Sequence, residues 1–180
     1  MARETPKAPS TAGVEWKIDD LSDVQQIADN IRGSDAVISA YAPPAGNTGA
    51  LVGVCERLAR AVAQSHVPRL LVVGGAGTLE VAPGVTLLQS GMLPAEWVAI
   101  ATAHSQTLEA LQATSIDWTY VAPAAMFEPG ERTGTYRTES TRLLSDAKGE
   151  SRISMEDYAL AMVDELERPA HHRERFAVAW

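Results

Sequence analysis

The chain has 180 residues, 46% of them hydrophobic, and a formal net charge of -8. That is enough apolar material for one domain with a sizeable core, while the negative balance argues against a nucleic-acid backbone or an anionic membrane as its main partner. A single cysteine, Cys55, excludes an internal disulfide framework and a cysteine-rich metal site. No apolar run approaches the roughly 18–20 residues of a membrane helix and the first residues lack the apolar centre of a secretory signal, so a cytoplasmic protein is expected.

Residues 1–13 (MARETPKAPSTAG) are polar and rich in Pro, Ala and Thr, and read as a flexible tail or loop. Residues 14–18 alternate apolar and polar side chains, the pattern of a short strand with one buried face. Ser22 is placed as the N-cap of a helix through about Ile31, closed by Gly33. Residues 35–41 read as a second strand, ended by Pro43 and Pro44. Asn47 or Thr48 opens a helix to about Ser65, in which Leu51, Val54, Cys55, Leu58, Ala61 and Val62 recur at the spacing of one apolar face.

Residues 69–73 (Arg-Leu-Leu-Val-Val) carry no polar alternation and so predict a strand covered on both faces, as in a parallel sheet. The run breaks into Gly74, Gly75 and Gly77 at the strand end, where open α/β sheets place their ligands and where a missing Cβ lets a ligand approach. Residues 78–93 read as irregular. Pro94 starts a helix to about Ala113 with Trp97, Ile100, Leu108 and Leu111 inward. Residues 117–122 form a further strand ended by Pro123, and residues 127–149 a long loop. Ser154 opens a last helix to about Glu167, with Tyr158, Met162 and Leu166 on one face, and residues 176–180 close the chain as a strand. Strands alternating with helices predict an α/β fold with a mostly parallel sheet and helices on both faces, one domain over residues 14–180.

Six segments in order carry a resemblance: Asp20-Leu21-Ser22-Asp23, Asp35-Ala36-Val37-Ile38-Ser39-Ala40, Val73-Gly74-Gly75-Ala76-Gly77-Thr78-Leu79, Asp117-Trp118-Thr119-Tyr120-Val121-Ala122-Pro123-Ala124, Glu128-Pro129-Gly130-Glu131-Arg132-Thr133-Gly134 and Ile153-Ser154-Met155-Glu156-Asp157-Tyr158-Ala159. Together they resemble the atypical short-chain dehydrogenase/reductases, and within them the NAD(P)H-binding, NADH–flavin reductase-like proteins. The resemblance implies a Rossmann-like domain, NAD(P)H as cofactor, and hydride transfer to a flavin or similar small-molecule acceptor. Members of that group open with a strand, a Gly-x-x-Gly-x-x-Gly turn, a helix and a second strand. No such glycine run precedes residue 46, so the chain resembles an N-terminally shortened member. The edge at residues 36–41 would then lack a neighbour, and either re-pairing with residues 14–18 or a homodimer is expected to cover it.

By the same resemblance, Asp20 and Leu21 would flank the adenine of the cofactor. Ala40, Tyr41, Ala42 and Pro43 would run along its diphosphate and ribose. Gly74, Gly75 and Ala76 would lie beside the nicotinamide, and Pro123 and Ala124, with Ala125, would close over it. Taken as residues alone, Asp20 is an acid at a helix N-terminus, and Pro43 and Pro123 simply end strands. The serine and Tyr-x-x-x-Lys of classical relatives are missing: the helix reads Trp97-Val98-Ala99-Ile100-Ala101. Carbonyl reduction with that apparatus is therefore not expected, whereas flavin reduction leaves the chemistry to the two ring systems. His104 is the titratable side chain of that helix placed to face the site, and is the catalytic candidate set against a packing role. Arg132 is either a phosphate contact or a solvated loop cation. His171 and His172 lack ligand partners at metal spacing, and Cys55 reads as a buried inert thiol. The alternative is a Rossmann-like domain that does not bind dinucleotide, because the glycine turn supplies the N–H groups that hold a pyrophosphate, and that serves as an assembly or regulatory partner.

Overall fold

The computed structural model describes residues 13–180. The tail expected over residues 1–13 lies outside the described residues except for Gly13. In chain order the elements are α1 (Val24–Ile31), β1 (Val37–Ser39), α2 (Ala50–Ser65), β2 (Leu70–Val73), β3 (Glu80–Ala82), β4 (Val85–Thr86), α3 (Ala95–Gln112), β5 (Trp118–Pro123), β6 (Met126–Glu128), β7 (Arg137–Glu139), β8 (Arg152–Ser154), α4 (Met155–Glu167) and β9 (Glu174–Ala179).

The main sheet runs β1-β2-β5-β9-β7; its first four strands are parallel and β7 is antiparallel on the far edge. Every residue of β5 is buried, as expected for a strand covered on both faces. Successive side chains of β5 go to opposite layers. Trp118, Tyr120 and Ala122 pack with Ile27 of α1, Val54 and Leu58 of α2 and Leu111 of α3. Val121 joins Leu71, Phe176, Val178 and Tyr158 of α4 on the other face. The apolar stripe read in α2 is buried, and Ser154 caps α4 by accepting the Asp157 N–H at 3.0 Å. The predicted α/β architecture is the observed one.

Differences from the sequence reading are local. Residues 14–18 form no strand: Ile18 alone makes a bridge, and Val14, Trp16 and Ile18 are 46%, 47% and 62% exposed. They do not close against β1; a hollow of about 720 Å³ lies between Glu15 and Lys17 on one side and Val37, Ile38 and Ser39 on the other. Alternation gives the period, but among the described residues no strand pairs with this segment. The N-cap of α1 is Asp23 rather than Ser22, its carboxylate accepting the Gln26 N–H at 3.0 Å. Gly49, without a side-chain cap, starts α2; Asn47 and Thr48 contribute only their carbonyls. The stretch read as irregular holds the β3–β4 hairpin, turned at Gly84 (φ +73°). The long loop holds β6 and β7, and β6 pairs in parallel with β8. Trp97 is 57% exposed rather than inward.

The amino ends of the strands are tied by a buried ion pair. Arg69, 5% exposed, donates to Glu165 Oε1 at 2.5 Å, Thr119 Oγ1 at 2.8 Å and the His171 carbonyl at 3.0 Å. Glu165 also accepts the backbone N–H groups of Ala170 (3.1 Å) and His171 (3.0 Å).

Candidate functional site

The carboxyl ends of β2 and β5 open into a cavity of about 1090 Å³, at the upper end of small-molecule sites. β2 stops at Val73, and Gly74 and Gly75 lead into a single turn of 3-10 helix, Ala76–Thr78. A Cβ on Gly74 would stand 2.3 Å from a Tyr120 ring carbon and 2.7 Å from the Val121 carbonyl oxygen. One on Gly75 would meet the His104 ring at 2.7 Å, and one on Gly77 the Ala101 Cβ at 2.8 Å. The space left by these glycines is thus taken by β5 and α3, which corrects the view that it is held open for a ligand. What they present to the cavity is backbone.

Facing them across the cavity are Pro123, Ala124 and Ala125 from the end of β5, Ile100, Ala101 and His104 from α3, and Phe127 from β6. Trp97 and Met92, 57% and 70% exposed, stand at the mouth. The charged rim is Glu80, Glu128, Glu150 and Arg142, with Arg152 bridging Glu128 at 3.1 Å and Glu150 at 3.5 Å. The wall is largely apolar, and His104 supplies its imidazole. Burial pushes the His104 imidazole down to about 4, so the ring is neutral at pH 7.

That shift has a sign. Between about pH 4 and 6.5 the unfolded chain takes up a proton at His104 that the folded chain refuses, so stability rises with pH through this window. A shift of this size corresponds to about 3 kcal/mol. Urea unfolding at pH 7 and pH 4.5 should therefore show a smaller pH loss in His104→Gln than in the wild type. An identical pH loss in both proteins would rule out a buried neutral His104.

The remaining sequence candidates fall in a second place. Leu21, Ala40, Tyr41 and Ala42 line the 720 Å³ hollow beside β1, with Asp19. Asp20 and Pro43 do not line it. Asp20 is exposed and its carboxylate accepts the Ser22 N–H at 2.9 Å; the Ser22 side chain first, and then this bond, lower its pKa. The strained turn at Leu21 is held by Arg57 Nε, which donates to the Leu21 carbonyl at 2.6 Å. The structure thus brings Gly74, Gly75, Ala76, His104, Pro123 and Ala124 around the larger cavity and Leu21, Ala40, Tyr41 and Ala42 around the smaller, and leaves Asp20 and Pro43 outside both.

The Glu128–Gly134 segment has a structural explanation. Asp157, 0% exposed, accepts Thr133 Oγ1 at 2.5 Å, the Gly134 N–H at 2.9 Å and Trp180 Nε1 at 2.7 Å. Burial alone would raise its pKa; these bonds outweigh it and the net shift is downward. Arg132 is exposed and outside the cavity lining. His171 bonds Glu165 and His172 bonds Asp117, each at 2.8 Å, and Cys55 is buried with its thiol pushed up to about 12. Among the described residues no cluster of His, Cys, Asp and Glu is set to hold a metal, and no helix is long and apolar enough to cross a membrane.

Two participants escaped the sequence reading. Tyr120 was legible only as a strand residue, although a buried tyrosine must place its hydroxyl on a partner. Trp97 was assigned to the core by helical spacing, a period that does not distinguish a core face from a cavity wall.

The sequence matches the family described as NAD(P)H-binding over residues 1–169. It is 41% identical over 155 residues to the YwnB protein of Bacillus subtilis (strain 168), covering 84% of this chain and 73% of that protein. Among solved structures, a candidate epimerase of Bacteroides thetaiotaomicron is 38% identical with a TM-score of 0.91, the match covering 99% of this chain and 82% of that one. A candidate NADH-flavin reductase of Streptococcus pneumoniae is 32% identical with a TM-score of 0.86, covering 99% and 84%.

Proposed function

Because the chain belongs to the NAD(P)H-binding family, with a Rossmann-like fold related to the short-chain dehydrogenase/reductases, we propose that it is an NAD(P)H-dependent reductase of a flavin or similar planar acceptor. The observation that carries this reading is the 1090 Å³ cavity at the strand carboxyl ends, with apolar walls, a neutral imidazole and no Tyr-x-x-x-Lys pair. The residues present fit flat rings: backbone at Gly74 and Gly75, small side chains at Ala76 and Ala124, and a proline at position 123. The nicotinamide, when bound, supplies a hydride, that is two electrons and one proton. Ala76, Pro123 and Ala124 hold the rings in register and Trp97 and Met92 shield them from water. His104 contributes a hydrogen bond, and the further proton needed by the reduced acceptor comes from solvent. Asp19, Leu21 and Tyr41, around the smaller hollow, form the surface toward the adenosine end. This reading also places the protein in the cytoplasm, where its cofactor and a buried Cys55 are at home.

Titration of the purified chain with NADPH and with NADH, followed by tryptophan fluorescence, tests the binding half. Saturation at micromolar concentration is expected, with a smaller signal change in Trp97→Phe. No change up to millimolar cofactor would favour the assembly or regulatory alternative.

A further inference from the structure

Tyr120 is 0% exposed, and its hydroxyl has three hydrogen-bond contacts within 3.2 Å, with the Thr78 side chain also acting on it. The Gly75 N–H donates to it at 2.9 Å. His104 Nδ1 lies 3.2 Å away, and the His104 carbonyl oxygen also 3.2 Å away. The ring fills the space that a Cβ on Gly74 would need, so the phenol has no room to turn elsewhere. The opposite ring nitrogen, His104 Nε2, has no partner among the described residues, yet it is not one of the buried polar atoms left unsatisfied. It therefore opens onto the cavity that His104 lines.

We propose that Tyr120 is a positioning residue: its hydroxyl donates to His104 Nδ1 and fixes the ring as the Nε2–H tautomer, leaving that N–H in the cavity as a donor to a carbonyl oxygen or ring nitrogen of the acceptor. Three arguments select this arrangement over donation to the His104 carbonyl. That carbonyl lies inside α3 and already accepts the helical N–H four residues on. The Gly75 N–H polarises the phenol and strengthens it as a donor. A neutral imidazole also intrinsically prefers its proton on Nε2. Which nitrogen carries the proton is set by the bond the other makes. The acceptor half of the proposal rests on the reductase reading; the tautomer half stands without it.

The test uses the full chain labelled with nitrogen-15 histidine. Long-range proton–nitrogen spectra at pH 7 contain four imidazoles, His66, His104, His171 and His172, and His104→Gln assigns the relevant one. The expected wild-type pattern is a protonated Nε2 and a bare, hydrogen-bonded Nδ1 at His104. Tyr120→Phe keeps the ring that fills the space beside Gly74. It should draw the two His104 nitrogen shifts together while leaving the other three histidines unchanged. A protonated Nδ1 in the wild type overturns the tautomer assignment, and a pattern unmoved in Tyr120→Phe overturns the positioning role of Tyr120. Riboflavin is the probe for the second half: its affinity should fall about five- to tenfold in Tyr120→Phe, the loss of one modest hydrogen bond. Equal riboflavin affinity in the two proteins overturns the donor role. Failure of riboflavin to bind even the wild type, with the tautomer as stated, counts against the reductase reading and leaves the positioning of His104 upheld.

Discussion

Gly74→Ala is expected to lower stability by about 3 kcal/mol, near the upper range for an overpacked core. The added Cβ cannot be accommodated by a flexible side chain, because it lands 2.3 Å from the Tyr120 ring and 2.7 Å from the Val121 backbone oxygen. Either β2 must move away from β5, breaking the 2.7 Å bond from the Gly74 N–H to the Val121 carbonyl, or Tyr120 must leave its place against Gly75 and His104. The melting temperature should fall by roughly 6–12 °C for a domain of this size. Gly49→Ala is the matched control: a Cβ there meets nothing within 4 Å and the residue has no positive φ, so its effect should be small. A Gly74→Ala protein as stable as Gly49→Ala would contradict the packing described at the strand end.

Glu165→Ala should cost about as much or more, roughly 3–5 kcal/mol, because it leaves a buried cation without its partner. Arg69 would keep Thr119 and two carbonyl oxygens, but its only remaining carboxylate among the described residues would be Asp117, a distant 3.9 Å from Nε. The backbone N–H groups of Ala170 and His171 would lose their acceptor. Glu165→Gln retains an acceptor oxygen and should lose about half as much. Burial alone would raise the Glu165 pKa, but the bonds from His171, Ala170 and Arg69 win and lower it. The stabilisation from this lowered pKa is therefore present above the ordinary glutamate range and is lost as pH falls through the folded value. Urea unfolding of the two variants at pH 7 measures both effects; a loss below 1 kcal/mol for the alanine variant would mean that Arg69 finds water instead.

What could be read from the sequence was whatever depends on period. The unbroken apolar run before Gly74 gave a strand covered on both faces, and the spacing of Leu51, Val54, Leu58 and Val62 gave the buried face of α2. Residues 14–18 show the weakness of the same signal, since alternation specifies which side chains share a face but not whether a neighbouring strand exists. The β3–β4 hairpin was missed because its strands are three and two residues long, too short for any period to register. At the site, His104 was found because a titratable residue stands out in an apolar helix. Tyr120 was not, because its role depends on a backbone N–H and a ring brought together from 45 and 16 residues away, contacts that no local pattern encodes. The glycines were read as leaving room for a ligand, whereas the space a Cβ would need at each is taken by protein.

The most direct measurement is the anaerobic loss of riboflavin colour on adding NADPH to the purified chain, compared with Ala76→Trp, which puts a bulky indole on a lining residue at the half-buried start of the 3-10 turn. The account predicts bleaching that scales with protein concentration in the wild type and is lost in Ala76→Trp, with the variant still folded by circular dichroism. Bleaching no faster than in buffer, or equally fast in the variant, would contradict the placement of reduction in this cavity.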